Sequence, residues 1–155
     1  MVSNQTVANF IHFDTHESVV FEDCHNGEVK SVSVSGCQHG SKICTFNNGR
    51  RHSIGMNFIP EDNFRDIVAN AQANLLGILT LHLPKKDVPV CDLVLPNCPL
   101  EAGKEYRFEN PKLDVQVPWW VPHRIFKRMK LTAVLEDKYT KKTVACMRML
   151  ATVQF

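Results

Sequence analysis

The chain has no apolar run long enough to cross a bilayer as a helix. Such a span takes about 18 residues, and the longest candidate, residues 75–83, is interrupted by Thr80 and His82. That run reads instead as part of a long strand. The chain also lacks a strong charge of either sign: 18 Lys and Arg against 16 Asp and Glu leave +2, too little to mark a nucleic-acid binder. No Cys-x-x-Cys pair occurs, and His25 and His39 lack ligand-type spacing, so no zinc site is expected. Ser53, Asp66 and the scattered histidines form no nucleophile–base–orienter constellation, so no enzymatic activity is expected. Residues 1–15 lack a basic end followed by an apolar block, the form a signal peptide takes.

What is present fits one globular domain. A length of 155 residues allows a sizeable core, and 44% apolar with 22% charged residues is ordinary for such a domain. Six cysteines in so small a chain point to an oxidising compartment. Together with the missing leader this suggests a mature secreted form carrying an added initiator methionine. Asn4-Gln5-Thr6 is a glycosylation sequon in keeping with secretion, which makes Asn4 a candidate acceptor.

Residues 1–18 show no clear period and are expected to form a loose N-terminal arm, with residues 19–155 as a single domain. From Val19 the pattern is β. Val19-Val20-Phe21 makes a short first strand, and His25-Asn26-Gly27 a turn. In residues 29–35, Val32 and Val34 alternate with serines, giving one apolar face. Asn47-Asn48-Gly49 is the strongest turn signal, after which Ile54, Met56 and Phe58 share a face. Residues 64–83 are compatible with a helical period, but no cap precedes them and Gly77 favours a strand, so residues 68–83 read as extended. A Pro-rich loop covers residues 84–99, and residues 105–109 put Tyr106 and Phe108 on one face. Met129, Leu131, Ala133 and Leu135 alternate with polar residues, as do Ala145, Met147, Met149, Ala151 and Val153 after a polar turn at 137–142. About seven short strands and no convincing helix predict an all-β, antiparallel β-sandwich.

Residues 113–122 stand apart because they hold both tryptophans. Val115 and Val117 alternate as in a half-buried strand, and Pro118 and Pro122 then forbid regular pairing around Trp119 and Trp120. The indoles either plug one end of the core or line a pocket for an apolar ligand. Residues 124–130 follow as the densest basic stretch. Apolar tips beside Arg124, Lys127, Arg128 and Lys130 suit transient docking on anionic membranes.

Six cysteines allow fifteen pairings, and spacing does not choose among them. Cys37 with Cys44 and Cys91 with Cys98 are close enough in sequence to close short loops, which would leave Cys24 for Cys146. The order Val-Phe-Glu-Asp-Cys24, Gly27 through Gly36-Cys37, Cys44, Cys91, Cys98-Pro99-Leu100, Gly103, Tyr106, Leu135-Glu136-Asp137 and Cys146 resembles the secreted ML-domain lipid-recognition proteins. That group includes the Niemann–Pick type C sterol carrier of the lysosome lumen, its insect relatives and the group 2 mite allergens. The resemblance covers roughly residues 19–155.

The resemblance implies an immunoglobulin-like sandwich with the disulfides Cys24–Cys146, Cys37–Cys44 and Cys91–Cys98. It also implies an apolar cavity between the sheets that takes a sterol, fatty acid or similar lipid, with no reaction and no cofactor. Val34, Phe46, Ile54, Met56, Phe58 and Leu75 would then face inward. So would Tyr106, Phe108, Met129, Leu131, Ala133, Met147 and Met149, with Val115, Val117, Trp119 and Trp120 completing the candidate ligand set. The expected protein is a monomeric carrier, secreted or in the lysosome lumen. A carrier of odorants or semiochemicals, recognition of microbial lipid, and an adhesion-type immunoglobulin-like module are the alternatives. Lys85, Lys86, His82, His123 and Arg124 are candidates for holding an acidic head group. The chain departs from the resemblance in three places: a shorter connection from Gly77 to Cys91, a longer one from Phe108 to Leu131 carrying the tryptophans, and Ala133 and Met147 where a large aromatic is expected. Small residues and flexible methionines make an acyl chain at least as good a ligand as a sterol.

Overall fold

The computed structural model describes residues 18–75, 77, 79–82, 86–117 and 119–155. The expected arm, with Asn4, lies outside these residues apart from Ser18, which already pairs with Ser33. Eleven strands are described. They are β1 (Glu22–Asp23), β2 (Val29–Val34), β3 (Ile43–Asn47), β4 (Arg51–Phe58), β5 (Ile67–Leu75) and β6 (Leu79–His82), followed by β7 (Val88–Pro89), β8 (Val94–Leu95), β9 (Tyr106–Asp114), β10 (Met129–Asp137) and β11 (Thr143–Gln154). The larger sheet runs β1-β11-β10-β5-β6, with β3 also on β11 and β7 also on β5; the smaller runs β2-β4-β9-β8. One apolar core joins their inner faces.

The alternation of apolar residues sets the register. In the larger sheet Met129 lies opposite Ala151, Leu131 opposite Met149, Ala133 opposite Met147 and Leu135 opposite Ala145. At three of these four positions a large side chain meets a small one, which lets the row fill evenly. In the smaller sheet Val32 and Phe108 flank Met56, and Tyr106 lies opposite Phe58. On its outer face Arg107 crosses β4 at Gly55 to donate to Ser33 Oγ (3.0 Å) and Asn57 Oδ1 (3.1 Å). A Cβ at Gly55 would meet that guanidinium, which would have to shift to make room.

All three disulfides pair as the resemblance implied. Cys24–Cys146 spans 122 residues of sequence and ties the segment after β1 to β11. Beside it, the Asp23 carboxylate organises the turn into β2, accepting from the backbone N–H groups of His25 (2.9 Å), Gly27 (2.8 Å) and Val29 (3.0 Å). Partial burial opposes ionisation of Asp23, but the donors at Val29, His25 and Gly27 outweigh it and hold its pKa below the usual carboxylate value.

Several local expectations are corrected. Residues 68–83 are not one extended segment: Gly77, at φ +74°, turns the chain between β5 and β6, which pair as an antiparallel hairpin. β9 runs past residue 109 to Asp114, carrying Pro111 beside a register shift where a missing donor is tolerated. Val115 and Val117 lie beyond its end. The first ladder residues are Glu22–Asp23 instead of Val19–Phe21. The 84–99 loop contains β7, β8 and a 3-10 turn at Cys91–Leu93, and a second such turn occupies His123–Phe126. β3 was not expected as a strand and pairs in parallel with β11, the one parallel pairing among the described strands.

Candidate functional site

The inner face of the larger sheet changes character across its width. Near β11 it is closed: Met147, Met149, Phe46 and Ala151 are buried. Towards β6 the side chains become small and accessible. Register places Ala71 opposite Ala133, Ala69 opposite Leu135 and Ala73 opposite Leu131. Of these, Ala69, Ala71, Leu131 and Ala133 are only half-buried although they point between the sheets. Beyond them Leu79 and Leu81 pair with Leu75 and Ala73, and so share the inner face. Yet they remain 46% and 39% exposed. On the facing sheet, Ile54 and Phe108 are likewise half-buried. The inner face of the larger sheet is therefore covered on the β11 side and partly open on the β6 side, where alanines give way to exposed leucines at the edge.

The candidate ligand residues divide accordingly. Val34, Phe46, Met56, Phe58, Leu75 and Tyr106 are buried in the core, as are Met129, Met147 and Met149. Ile54, Phe108, Leu131 and Ala133 are half-buried, and so are Val115 and Val117 at one end of the sandwich. At that end the β3–β4 turn holds the chain leaving β9. Gly49 N–H donates to Val115 O (2.8 Å), Val115 N–H to Arg50 O (3.3 Å), and Val117 N–H to Asn48 Oδ1 (2.8 Å).

Trp119 and Trp120 do not plug the core. They are 90% and 69% exposed, and Val121 behind them fills the buried position instead. The Pro-bracketed stretch resembles a rim element in sequence, but the buried apolar anchors are Val121 and Phe126. Among the head-group candidates, Lys86 and Arg124 are exposed, and His123 is exposed with its ring stacked on Phe155 (centroids 3.7 Å apart). Lys85 and the side chain of His82 lie outside the described residues. A separate depression, lined by Asn26, Glu28, Lys30, Ile59, Pro60 and Glu61 among others, contains none of the candidate ligand residues.

The candidate set omits four half-buried or exposed residues of the inner face: Ala69, Ala71, Leu79 and Leu81. A signal for the alanines was present: Ala69-Asn-Ala-Gln-Ala-Asn-Leu75 alternates strictly between apolar and amide residues. Among the described residues no group of His, Cys, Asp and Glu is arranged to hold a metal ion.

The cysteine frame and the two-sheet topology agree with a family model. The ML-domain model matches residues 18–153. The chain belongs to the ML-domain family. This ML domain is 31% identical over 106 residues to the mite group 2 allergen Der f 2 of Dermatophagoides farinae, and 30% identical to Der p 2 of Dermatophagoides pteronyssinus. Each alignment covers 68% of this chain and 65% of the relative, so the match spans just under two thirds of those curated proteins. Among solved structures, a Niemann-Pick type C2 protein from Japanese carpenter ant superposes with a TM-score of 0.70 at 19% identity, covering 87% of this chain and 99% of that one. Chicken MD-1 complexed with lipid IVa superposes with a TM-score of 0.52 at 15% identity, covering 84% and 85%. At these identities the likeness to the two structures is one of fold.

Proposed function

We propose that this ML domain is a binding protein without a reaction of its own, which holds a hydrophobic molecule in a cleft between its sheets on the β6 side. The observation that carries the proposal is the accessible inner face at Ala69, Ala71, Ala133, Leu79 and Leu81. Apolar side chains pointing between two sheets are ordinarily covered by the opposite sheet; here they offer an apolar bed. Replacing three leucine-sized side chains by alanine leaves space for about nine carbon atoms in an interior packed at normal density. That suits an acyl chain or one edge of a sterol. Each methylene moved from water into such a bed gains about 0.8 kcal/mol, so a dozen would contribute on the order of 10 kcal/mol before ordering costs. Affinity then needs no polar contact, and Lys86 or Arg124 would at most orient an acidic head group. The presence of lipid IVa in the chicken MD-1 structure supports a lipid as the ligand class.

We read the setting as a secreted fluid or the lysosome lumen, because three disulfides persist in oxidising compartments. The test is displacement of a fluorescent fatty-acid probe by a panel of fatty acids, sterols, hydrophobic volatiles and acylated glycolipids. Saturable probe binding, and displacement by at least one class, is the expected result. The class that displaces separates a lipid carrier from a carrier of volatiles or a receptor for microbial lipid. No saturable probe binding would overturn the carrier reading and leave an adhesion-type module.

A further inference from the structure

We propose that the turn bearing Trp119 and Trp120, with the basic segment that follows it, docks the protein on an anionic lipid surface. Both indoles stand in solvent, at 90% and 69% exposure, whereas large aromatic side chains ordinarily supply core contacts. Their position is held from both sides. Val117 N–H is bonded to Asn48 Oδ1 before them, and Val121 and Phe126 are buried after them. Thr152 Oγ1 donates to Phe126 O (3.1 Å), fixing the following 3-10 turn. The indoles are thus presented outward by a pinned backbone.

The charge around them is one-sided. Residues 115–135 contain no Asp or Glu. Arg124, Lys127, Arg128 and Lys130 are all exposed. Among the described residues none of the four takes part in an ion pair, whereas Arg51, Lys138, Lys141, Lys142 and Arg148 elsewhere each meet a carboxylate. Four unneutralised cations behind two projecting indoles complement a soft, negatively charged interface. An indole places its ring at the level of lipid head groups, and each Lys or Arg near an anionic surface strengthens binding about five-fold. A folded acidic protein fits less well, since a stable contact buries roughly 800 Å2 per partner in complementary relief, and a projecting tip offers no groove.

This inference does not rest on the cleft holding lipid, and its test is separate. Trp119 and Trp120 are the only two tryptophans in the chain, so intrinsic fluorescence reports on this tip alone. The intact protein is mixed with phosphatidylcholine vesicles, with or without phosphatidylserine, and floated on a density gradient. Flotation with the phosphatidylserine vesicles, a blue-shifted emission and quenching by brominated acyl chains are expected. The shift should shrink as salt screens the charges. Lys127→Gln with Arg128→Gln should lower partitioning about 25-fold, at five-fold per charge. Trp119→Ala with Trp120→Ala should abolish flotation while leaving the thermal unfolding midpoint unchanged. A protein that stays in the dense fraction, or one that floats with unshifted and unquenched tryptophans, overturns the proposal. So does capture on an immobilised polyanion without flotation, which would assign the patch to an acidic polymer. The probe-displacement assay contains no vesicles, so either reading can fail alone.

Discussion

Filling the alanine floor should block the ligand without unfolding the protein. Ala71 lies on β5 opposite Ala133, half-buried and pointing between the sheets. A phenylalanine at position 71 would lay its ring along the floor. A ligand chain lifted off that floor loses contact for about three methylenes, or ~2.4 kcal/mol at 0.8 kcal/mol each, which is a roughly 60-fold weaker Kd. The host cost is small because the position is partly open, and the unfolding free energy should change by less than about 1 kcal/mol. Thr132→Phe is the control: Thr132 lies on the same sheet with Ala133 beside it, but faces outward, opposite Gln72 and Arg148. Titration of a fluorescent fatty-acid probe, with urea unfolding in parallel, measures both quantities. Unchanged affinity in a folded Ala71→Phe protein, or an equal loss in Thr132→Phe, would refute the placement of the ligand.

Three further outcomes follow from the fold. Removing the long-range disulfide by Cys24→Ala with Cys146→Ala should cost about 5 kcal/mol in urea unfolding, since its loop spans 122 residues; Cys37→Ala with Cys44→Ala should cost about half that in the chain-entropy model. Asp23→Ala should cost about 1–3 kcal/mol at neutral pH through its lost charge-assisted hydrogen bonds. Because the folded pKa of Asp23 is lowered, this stabilisation is complete above the ordinary carboxylate pKa of about 4 and disappears as pH falls through the lower folded value. The gap between wild type and Asp23→Asn should therefore narrow only in acid. Gly77→Ala should destabilise the β5–β6 hairpin by about 1 kcal/mol because φ is +74° there, and thermal unfolding would show it.

The features legible in the sequence were those set by strict alternation or by the cysteine frame. Residues 129–135 and 145–153 show their inner faces without ambiguity, and the structure pairs them in the register that this implies. The β5–β6 hairpin was not legible, because Ile67, Val68, Ala71, Leu75 and Leu79 also satisfy a helical period. The single glycine that makes the turn carries no two-residue hairpin signature. β3 escaped notice because a five-residue strand that joins its sheet in parallel depends on a partner more than 100 residues away. The tryptophans misled for a related reason. Composition marks indoles as core material, but the smaller Val117, Val121 and Phe126 take the inward positions. Alanine carries little weight in a hydrophobic pattern, so the floor at Ala69, Ala71 and Ala73 was hidden. That Ala69 and Ala71 are only half-buried on the inner face became visible once strand register showed which face they occupy.

The central claim is that the cleft beside β6 holds a lipid-like molecule. Native mass spectrometry of the protein purified from its own source under non-denaturing conditions addresses it directly. The expected spectrum contains a one-to-one adduct that dissociates on activation to release a fatty acid, sterol or comparable amphiphile, and Ala71→Phe should lose that adduct. A spectrum of bare protein that stays bare after incubation with each of these classes would contradict the account.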